Sequence, residues 1–269
     1  MRTNYKSNDI VKTIRQVGIC EGDTVFVHSN LGYFGVLEDA ACREGYADAF
    51  LRAFLEVLGP TGDLVVPTFS YSFCRGEDFN PEKTPSTCGL FSETVRMDER
   101  SVRSEDANFS IAVIGPRDRF YTENPPEYSF GPGSFWDRFL QNDGIFCNLN
   151  FDAGSTFIHY VERELQVPYR WDKPFRGRIT TEHSPPVEKV FYHFVYDLEK
   201  TWDAPDFARF SREAETENIV AKSFLGRGNV VAISAKDTYE FVERRILVEP
   251  RFLLKQISPA QTSDDTINR

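Results

Sequence analysis

The first 165 residues alternate between runs typical of β-strands and runs with the spacing of amphipathic helices. The strand-like runs are rich in β-branched and apolar residues and cover Thr24–Asn30, Leu64–Tyr71, Ser110–Gly115 and Gly144–Phe151. Helical spacing is found at Asp9–Val17, Tyr46–Leu58, Phe91–Met97, Ser134–Asn142 and Ser155–Gln166. This alternation predicts an α/β fold, a layered sheet with flanking helices, because each element must bury an apolar face. Since Pro67 cannot donate to a neighbouring strand, its strand is expected at an edge or a bulge.

The pattern changes after Pro168, where strand-like runs become more prominent. Strands are predicted at Lys189–Leu198 and Ile219–Phe224, and helices at Phe207–Glu217 and Ala235–Ile246. No linker-like segment separates the two parts, so the sequence predicts a single α/β domain over residues 1–257 that carries a β-rich insertion. Residues 258–269 are polar and are expected to form a C-terminal tail. With 269 residues, 41% of them hydrophobic, the chain can bury a core that needs no stabilising metal or disulfide.

Charge and motif content exclude several classes of protein. The formal net charge is −10, and no basic patch dominates, so binding to nucleic acid or to an anionic membrane is not expected. An acidic chain suits a cationic partner, such as a small molecule that carries an amine. The five cysteines include no CxxC pair, which argues against a zinc site and favours reduced thiols. No signal peptide or membrane span is recognisable, so a cytoplasmic location is expected, and a homodimer is left open.

The segment from Asp152 to Glu164 is the sharpest candidate for chemistry. It joins a predicted strand to a predicted helix, the kind of junction where ligands bind in open α/β sheets. His159 and Glu162 are three residues apart on one face of that helix. A carboxylate beside an imidazole fixes its tautomer and raises its pKa, so His159 could act as a general base whose activity falls on acidification through about pH 7. The alternative is an ordinary surface pair.

Three further segments could bind a ligand. The stretch from His28 to Gly35 follows a strand, and its free N–H groups could bind an anion or a carbonyl oxygen, although it matches neither a dinucleotide fingerprint nor a P-loop. Glu105 and Asp106 form an acidic turn. The stretch from Pro168 to Gly177 holds three cations and three aromatic residues, which suit a phosphate or a stacked base. A plain loop is the alternative in each case.

Six motifs occur in order, and together they resemble the aminoglycoside 3-N-acetyltransferase family, in a match that spans roughly residues 8–255. They are GDTVFVHSNLGYFG, GPTGDLVVPTFSYSF, FNPEKTPSTCGLFSETVR, RSEDANFSIAVIG, GPGSFWDRFLQNDG and STFIHYVE. The resemblance implies that family's fold and a direct transfer of an acetyl group from acetyl-CoA to the amine of a sugar, without a metal. It implies that His159 and Glu162 are the catalytic base unit, to which Asp152 adds an acidic residue. The cofactor contacts that it implies are His28, Ser29, Asn30, Leu31, Ser110 and Ser134.

The sequence departs from the family's pattern in three places: the acidic residue before the helix histidine is shifted to Asp152, and the other two departures bear on the acceptor. Asp106 and Ala107 stand where the family has a His-Pro pair. The segment after the catalytic helix resembles relatives in surface-polysaccharide synthesis, and its cations suit the diphosphate of a nucleotide-linked amino sugar. The substrate contacts expected on this basis are Asp106, Tyr169, Arg170, Lys173 and Arg176. An aminoglycoside acetyltransferase that confers antibiotic resistance, a non-catalytic protein that binds CoA or sugar, and an O-acyltransferase are the alternatives.

Overall fold

The computed structural model describes residues 4–40, 42–182, 184–197 and 205–255. Its strands are β1 (Asn4–Tyr5), β2 (Thr24–Ser29), β3 (Val36–Leu37), β4 (Asp63–Pro67), β5 (Val102–Arg103), β6 (Ile111–Ile114), β7 (Ile145–Leu149), β8 (Arg170–Ile179), β9 (Val187–Tyr196), β10 (Ala221–Leu225) and β11 (Gly228–Ser234). Its helices are α1 (Ser7–Gln16), α2 (Arg43–Leu58), α3 (Leu90–Arg96), α4 (Asp118–Thr122), α5 (Phe135–Gln141), α6 (Ile158–Glu164), α7 (Phe207–Thr216) and α8 (Ala235–Val248).

Seven strands form one mixed sheet in the order β10-β11-β7-β2-β4-β6-β5. Strand β2 lies in the middle and runs parallel to both neighbours, β4 and β7. The remaining pairs in this sheet are antiparallel. Strands β8 and β9 form a separate antiparallel hairpin, in which Arg170–Ile179 pairs along its full length with Val187–Tyr196.

The side chains of β2 alternate between the two faces of the sheet, and each face carries its own apolar core. Val25 and Val27 join the core on the side of α1, α2 and α3, with Phe50 and Phe91 among its fully buried members. Phe26 joins the other core, where α5, α6 and α8 contribute Trp136, Phe139, Ile158, Val161 and Phe241. The predicted architecture, a layered α/β sheet with flanking helices, is confirmed.

The structure differs from the sequence interpretation in three places. Strand β4 is not at an edge: it lies between β2 and β6, and Pro67 is its last residue, after which the N–H of Thr68 donates to Ser110 O at 2.8 Å. Residues 168–177 are not mainly loop, because β8 begins at Arg170. Strand β11 is absent from the sequence prediction, although Gly228–Ser234 completes the sheet between β7 and β10.

The described residues contain no helix that is both long and apolar enough to cross a bilayer. The predicted tail, residues 258–269, lies outside the described residues. The extent of the domain, residues 1–257, stays a prediction.

Candidate active site

The loop between β7 and α6 is held by one buried amide of β7. Asn148 lies in an otherwise apolar strand, and its Nδ2 donates to the carbonyl oxygens of Asp152 and Gly154. Four residues after Gly154 the chain enters α6 at Ile158, with Phe157 fully buried in the core below it. This arrangement fixes the first turn of α6, and with it the position of His159.

Glu162 is fully buried on α6 and is surrounded by three polar partners. Its Oε2 lies 2.7 Å from His159 Nδ1 and 2.8 Å from Arg170 Nε. The hydroxyl of Tyr169 donates to its Oε1 at 2.9 Å. A carboxylate that is 0% exposed needs such partners, because an unpaired buried charge is strongly disfavoured. Glu162 therefore fixes the ring of His159, whose Nδ1 donates to it and whose Nε2 remains for a ligand.

The electrostatic balance of this cluster favours a neutral imidazole. Burial lowers the pKa of His159 below its ordinary 6.5, and the positive charge of Arg170 lowers it further, against the opposing effect of Glu162. Burial alone would raise the pKa of Glu162, but its hydrogen bond and charge interactions with His159, together with Arg170 and Tyr169, hold it below its ordinary value. Glu162 raises the pKa of His159, as expected, but burial and Arg170 outweigh it, so the expectation of a loss of activity through about pH 7 is wrong.

A second imidazole borders the same opening. His28, on β2, and His159 both line a cavity of about 270 Å³. Other walls of this cavity are Asp152, Gly154, Ser155, Thr156, Phe151 and Phe207. His28 Nδ1 lies 3.0 Å from Asn148 Oδ1, and burial lowers the pKa of His28 to about 4. Asp152 is exposed at the rim, where its Oδ1 accepts from the N–H of Gly154 at 3.0 Å.

A larger cleft lies on the other face of the sheet, beside the loop that follows β2. Its volume is about 620 Å³, and Ser29, Asn30 and Leu31 line it. Because neighbouring side chains of a strand point to opposite faces, His28 borders the cavity while Ser29 borders the cleft. The end of β2 therefore separates two openings, and the structure does not group His28 with the other three predicted cofactor residues.

Three other predicted site residues serve the interior. Ser110 is fully buried, and its Oγ donates to Thr68 O at 2.8 Å. Ser134 is buried at the start of α5, where its Oγ accepts from the N–H of Asp137. Asp106 is buried and accepts from the N–H of Asn108 and from Ser129 Oγ, so it is not a solvated turn residue. None of these three borders the cleft or the cavity, so their roles in binding stay predictions.

The predicted cationic ligand site does not form. Arg170 is turned into the protein against Glu162, whereas Lys173 and Arg176 are exposed on β8. Along a strand, Lys173 points to the face opposite Arg170 and Arg176. Arg170 and Arg176 share a face but are six residues apart, about 20 Å at the rise of a strand. The three charges cannot converge on one diphosphate. Tyr169, also predicted to contact substrate, is buried and bonds to Glu162 instead.

Sequence reasoning missed two residues of the cavity region. Asn148 could have been found, since a lone amide within the apolar run of β7 must have buried partners. Ser155 is 5% exposed and lines the cavity, and within the described ranges its Oγ has no hydrogen-bond partner. An unpaired buried hydroxyl is a reason to expect a ligand there. The part of the chain that the structure describes contains no group of three or more His, Cys, Asp or Glu residues arranged to hold a metal ion.

Comparison with known proteins gives a consistent result. The sequence profile of the family described as aminoglycoside 3-N-acetyltransferase matches residues 26–246. The chain is 28% identical over 174 residues to aminoglycoside N(3)-acetyltransferase IV of Salmonella, a match that covers 63% of each protein. The chain thus spans less than two thirds of the length of that relative.

Solved structures share the fold. A structure described as AAC-VIa bound to sisomicin matches with a TM-score of 0.78 at 22% identity, covering 93% of this chain and 99% of the other. One described as AAC-IIIb with CoASH matches with a TM-score of 0.76 at 17% identity, covering 96% and 100%. The names of these relatives contradict the expectation of a nucleotide-linked amino sugar as acceptor, and the dispersed charges of β8 remove its physical basis.

Proposed function

The chain belongs to the aminoglycoside 3-N-acetyltransferase family, and from that premise we propose that it transfers the acetyl group of acetyl-CoA to an amine of an aminoglycoside. The observation that carries the proposal is the geometry of His159, whose Nδ1 lies 2.7 Å from the buried Glu162 and whose ring lines an open cavity. This arrangement leaves Nε2 to accept a proton from a substrate in the cavity.

His159 acts as the general base in this reaction. Its Nε2 accepts the proton that the amine loses as the new C–N bond forms, and the imidazolium is stabilised by Glu162. The C–S bond of the thioester breaks, and the same proton can pass to the departing sulfur. Ser155 is the donor that the cavity offers to the carbonyl oxygen as negative charge develops on it, because its buried Oγ is otherwise unpaired in the described chain. No enzyme side chain is acylated.

The cleft beside the β2 loop fits the acyl donor. Its volume of about 620 Å³ lies within the usual range of small-molecule sites, roughly 300–1,000 Å³. Glycines leave the backbone accessible there, and apolar side chains supply a wall for the pantetheine arm, namely Leu31, Leu90 and Phe91. The thioester would reach His159 past the end of β2, where the cleft and the cavity are separated only by adjacent residues. Bound there, acetyl-CoA supplies the acyl group.

Charge at the cavity suits a polycationic acceptor. Asp152 is an exposed carboxylate at the rim, and the chain as a whole carries a formal net charge of −10. A protein of this charge attracts a polyamine and raises its local concentration near the site. Among the residues that line the cavity there is no Lys or Arg to repel it.

The proposal is tested by measuring CoA thiol release with acetyl-CoA and either sisomicin or gentamicin. We expect release that depends on the aminoglycoside, with an acetylated product that is stable to alkaline hydroxylamine, as an amide is and an ester is not. A neutral sugar without an amine is the matched control. Release that is equal with the neutral sugar, or a hydroxylamine-sensitive product, would contradict N-acetylation of an aminoglycoside.

The direction of the His159 pKa predicts the pH dependence of kcat. Because this pKa lies below 6.5, the imidazole stays neutral through pH 7, and activity is lost only as the pH falls through the lowered pKa. The acid limb of a kcat profile at saturating substrates should therefore have its midpoint below pH 6.5. Since Glu162 raises the pKa of His159, a Glu162→Gln variant should move that limb to still lower pH. A limb that stays in place in the variant would belong to another group, such as the acceptor amine.

A further inference from the structure

His28 has a single protonation pattern imposed by its neighbour. Asn148 uses its Nδ2 to donate to two loop carbonyls, so its Oδ1 is the atom that faces His28. An oxygen can only accept, and His28 Nδ1 at 3.0 Å must therefore carry the proton. In a neutral ring this leaves Nε2 as a bare acceptor, and the ring lines the cavity.

His159 is held in the same tautomer by a different partner. Its Nδ1 donates to the carboxylate of Glu162, so its Nε2 also is an acceptor. Two imidazoles, one from β2 and one from α6, thus present acceptors to one cavity. A ligand that satisfies both needs two donor hydrogens on one small group or on close neighbours. A neutral primary amine has two N–H hydrogens and one lone pair.

Building on the proposed function, we propose that the substrate amine donates one N–H to His28 Nε2 and the other N–H to His159 Nε2. With both N–H groups bound, the amine's lone pair is the only part left to point at the thioester carbon. His28 is thus a second acceptor that orients the nucleophile, and not a contact of the acyl donor. A secondary amine would leave one imidazole without a partner, so the pair also selects for primary amines.

The two imidazoles differ in the group that accepts the hydrogen bond from Nδ1. A buried carboxylate backs His159 and stabilises the imidazolium that forms when the proton is taken. A neutral amide backs His28, and burial lowers its pKa to about 4, so His28 stays an acceptor at the pH of the reaction. Proton transfer therefore goes to His159 alone, and His28 contributes through orientation.

Two variants of His28 separate orientation from a purely structural role. In His28→Asn the side-chain amide occupies the place of Nδ1 and can keep the bond to Asn148, but the acceptor in the cavity is lost. In His28→Gln the amide reaches the place of Nε2 and can restore an acceptor. We expect His28→Asn to lower kcat for sisomicin about 10- to 100-fold with little change in the KM for acetyl-CoA. His28→Gln should recover most of that loss, and both should keep the midpoint of the acid limb.

Several outcomes would overturn the proposal while the wild type remains active. They are an unchanged kcat in His28→Asn, a loss that appears only in the KM for acetyl-CoA, or equal losses in the two variants. If the wild type acetylates no aminoglycoside, the proposed function fails, and ¹⁵N NMR of histidine-labelled protein still decides the point about His28. The signals of His28, assigned by their absence from His28→Asn, should show Nδ1 protonated and an Nε2 that shifts when sisomicin is added. Protonation at Nε2, or no shift, rejects the second acceptor.

Discussion

Replacing His159 with alanine is expected to lower kcat for acetyl transfer by about 10²–10⁴-fold, the range that a positioned general base contributes. The KM for acetyl-CoA should change little, because the imidazole lines the cavity and not the cleft on the other face of the sheet. The variant lacks the group that takes the proton from the amine in the transition state, so kcat falls while binding of the acyl donor does not change. Steady-state kinetics with saturating sisomicin measures both constants.

His159→Gln is the matched variant, since it keeps a polar group in the cavity but cannot take up a proton. It should be as slow as His159→Ala, and both should unfold thermally close to the wild type because the ring is partly exposed, at 20%. A kcat near that of the wild type in either variant would remove His159 as the base. If His159→Gln alone recovers activity, the imidazole acts through a hydrogen bond and not as a base.

Removing the charge of Arg170 is expected to lower the free energy of unfolding by about 3–5 kcal/mol, because it leaves the buried carboxylate of Glu162 without its cation. Arg170 is 2% exposed at its side chain and lies 2.8 Å from Glu162. It also donates to Phe194 O, which ties α6 and β8 to β9. Urea denaturation of Arg170→Met, compared with the wild type, measures the difference.

Arg176→Met is the control, on the same strand and the same face but exposed, and it should stay within about 0.5 kcal/mol of the wild type. A double variant, Glu162→Gln with Arg170→Met, should regain part of the stability because neither charge is then left alone. Equal losses in Arg170→Met and Arg176→Met would show that the ion pair does not stabilise the fold.

The central strands could be predicted from the sequence because each is a short apolar run between turns. Strand β8 could not, because its sequence RWDKPFRGRI is charged and its strand geometry depends on pairing with β9. Strand β11, with the sequence GNVVAIS, was assigned no element, because a short apolar run directly before a predicted helix is a weak strand signal.

The pairing of His159 with Glu162 was predictable because i,i+3 spacing on a helix brings two side chains together. The direction of the His159 pKa shift was not predictable, because Arg170 belongs to another element and burial is a property of the whole fold. In the sequence alone, Arg170 resembles a ligand contact, and only the structure shows that its partner is Glu162. His28 and Asn148 are 120 residues apart, so the tautomer of His28 has no sequence signal.

The alternation at the end of β2 makes the length of this strand more critical than its composition. His28 and Ser29 reach different openings only because they are neighbours on a pleated ribbon. Inserting or deleting one residue upstream in β2 would turn the imidazole toward the donor side and the hydroxyl toward the acceptor side, while Val25, Phe26 and Val27 exchanged cores. The loops around both openings can therefore vary in length, whereas an insertion or deletion in β2 would exchange the residues that reach the two openings.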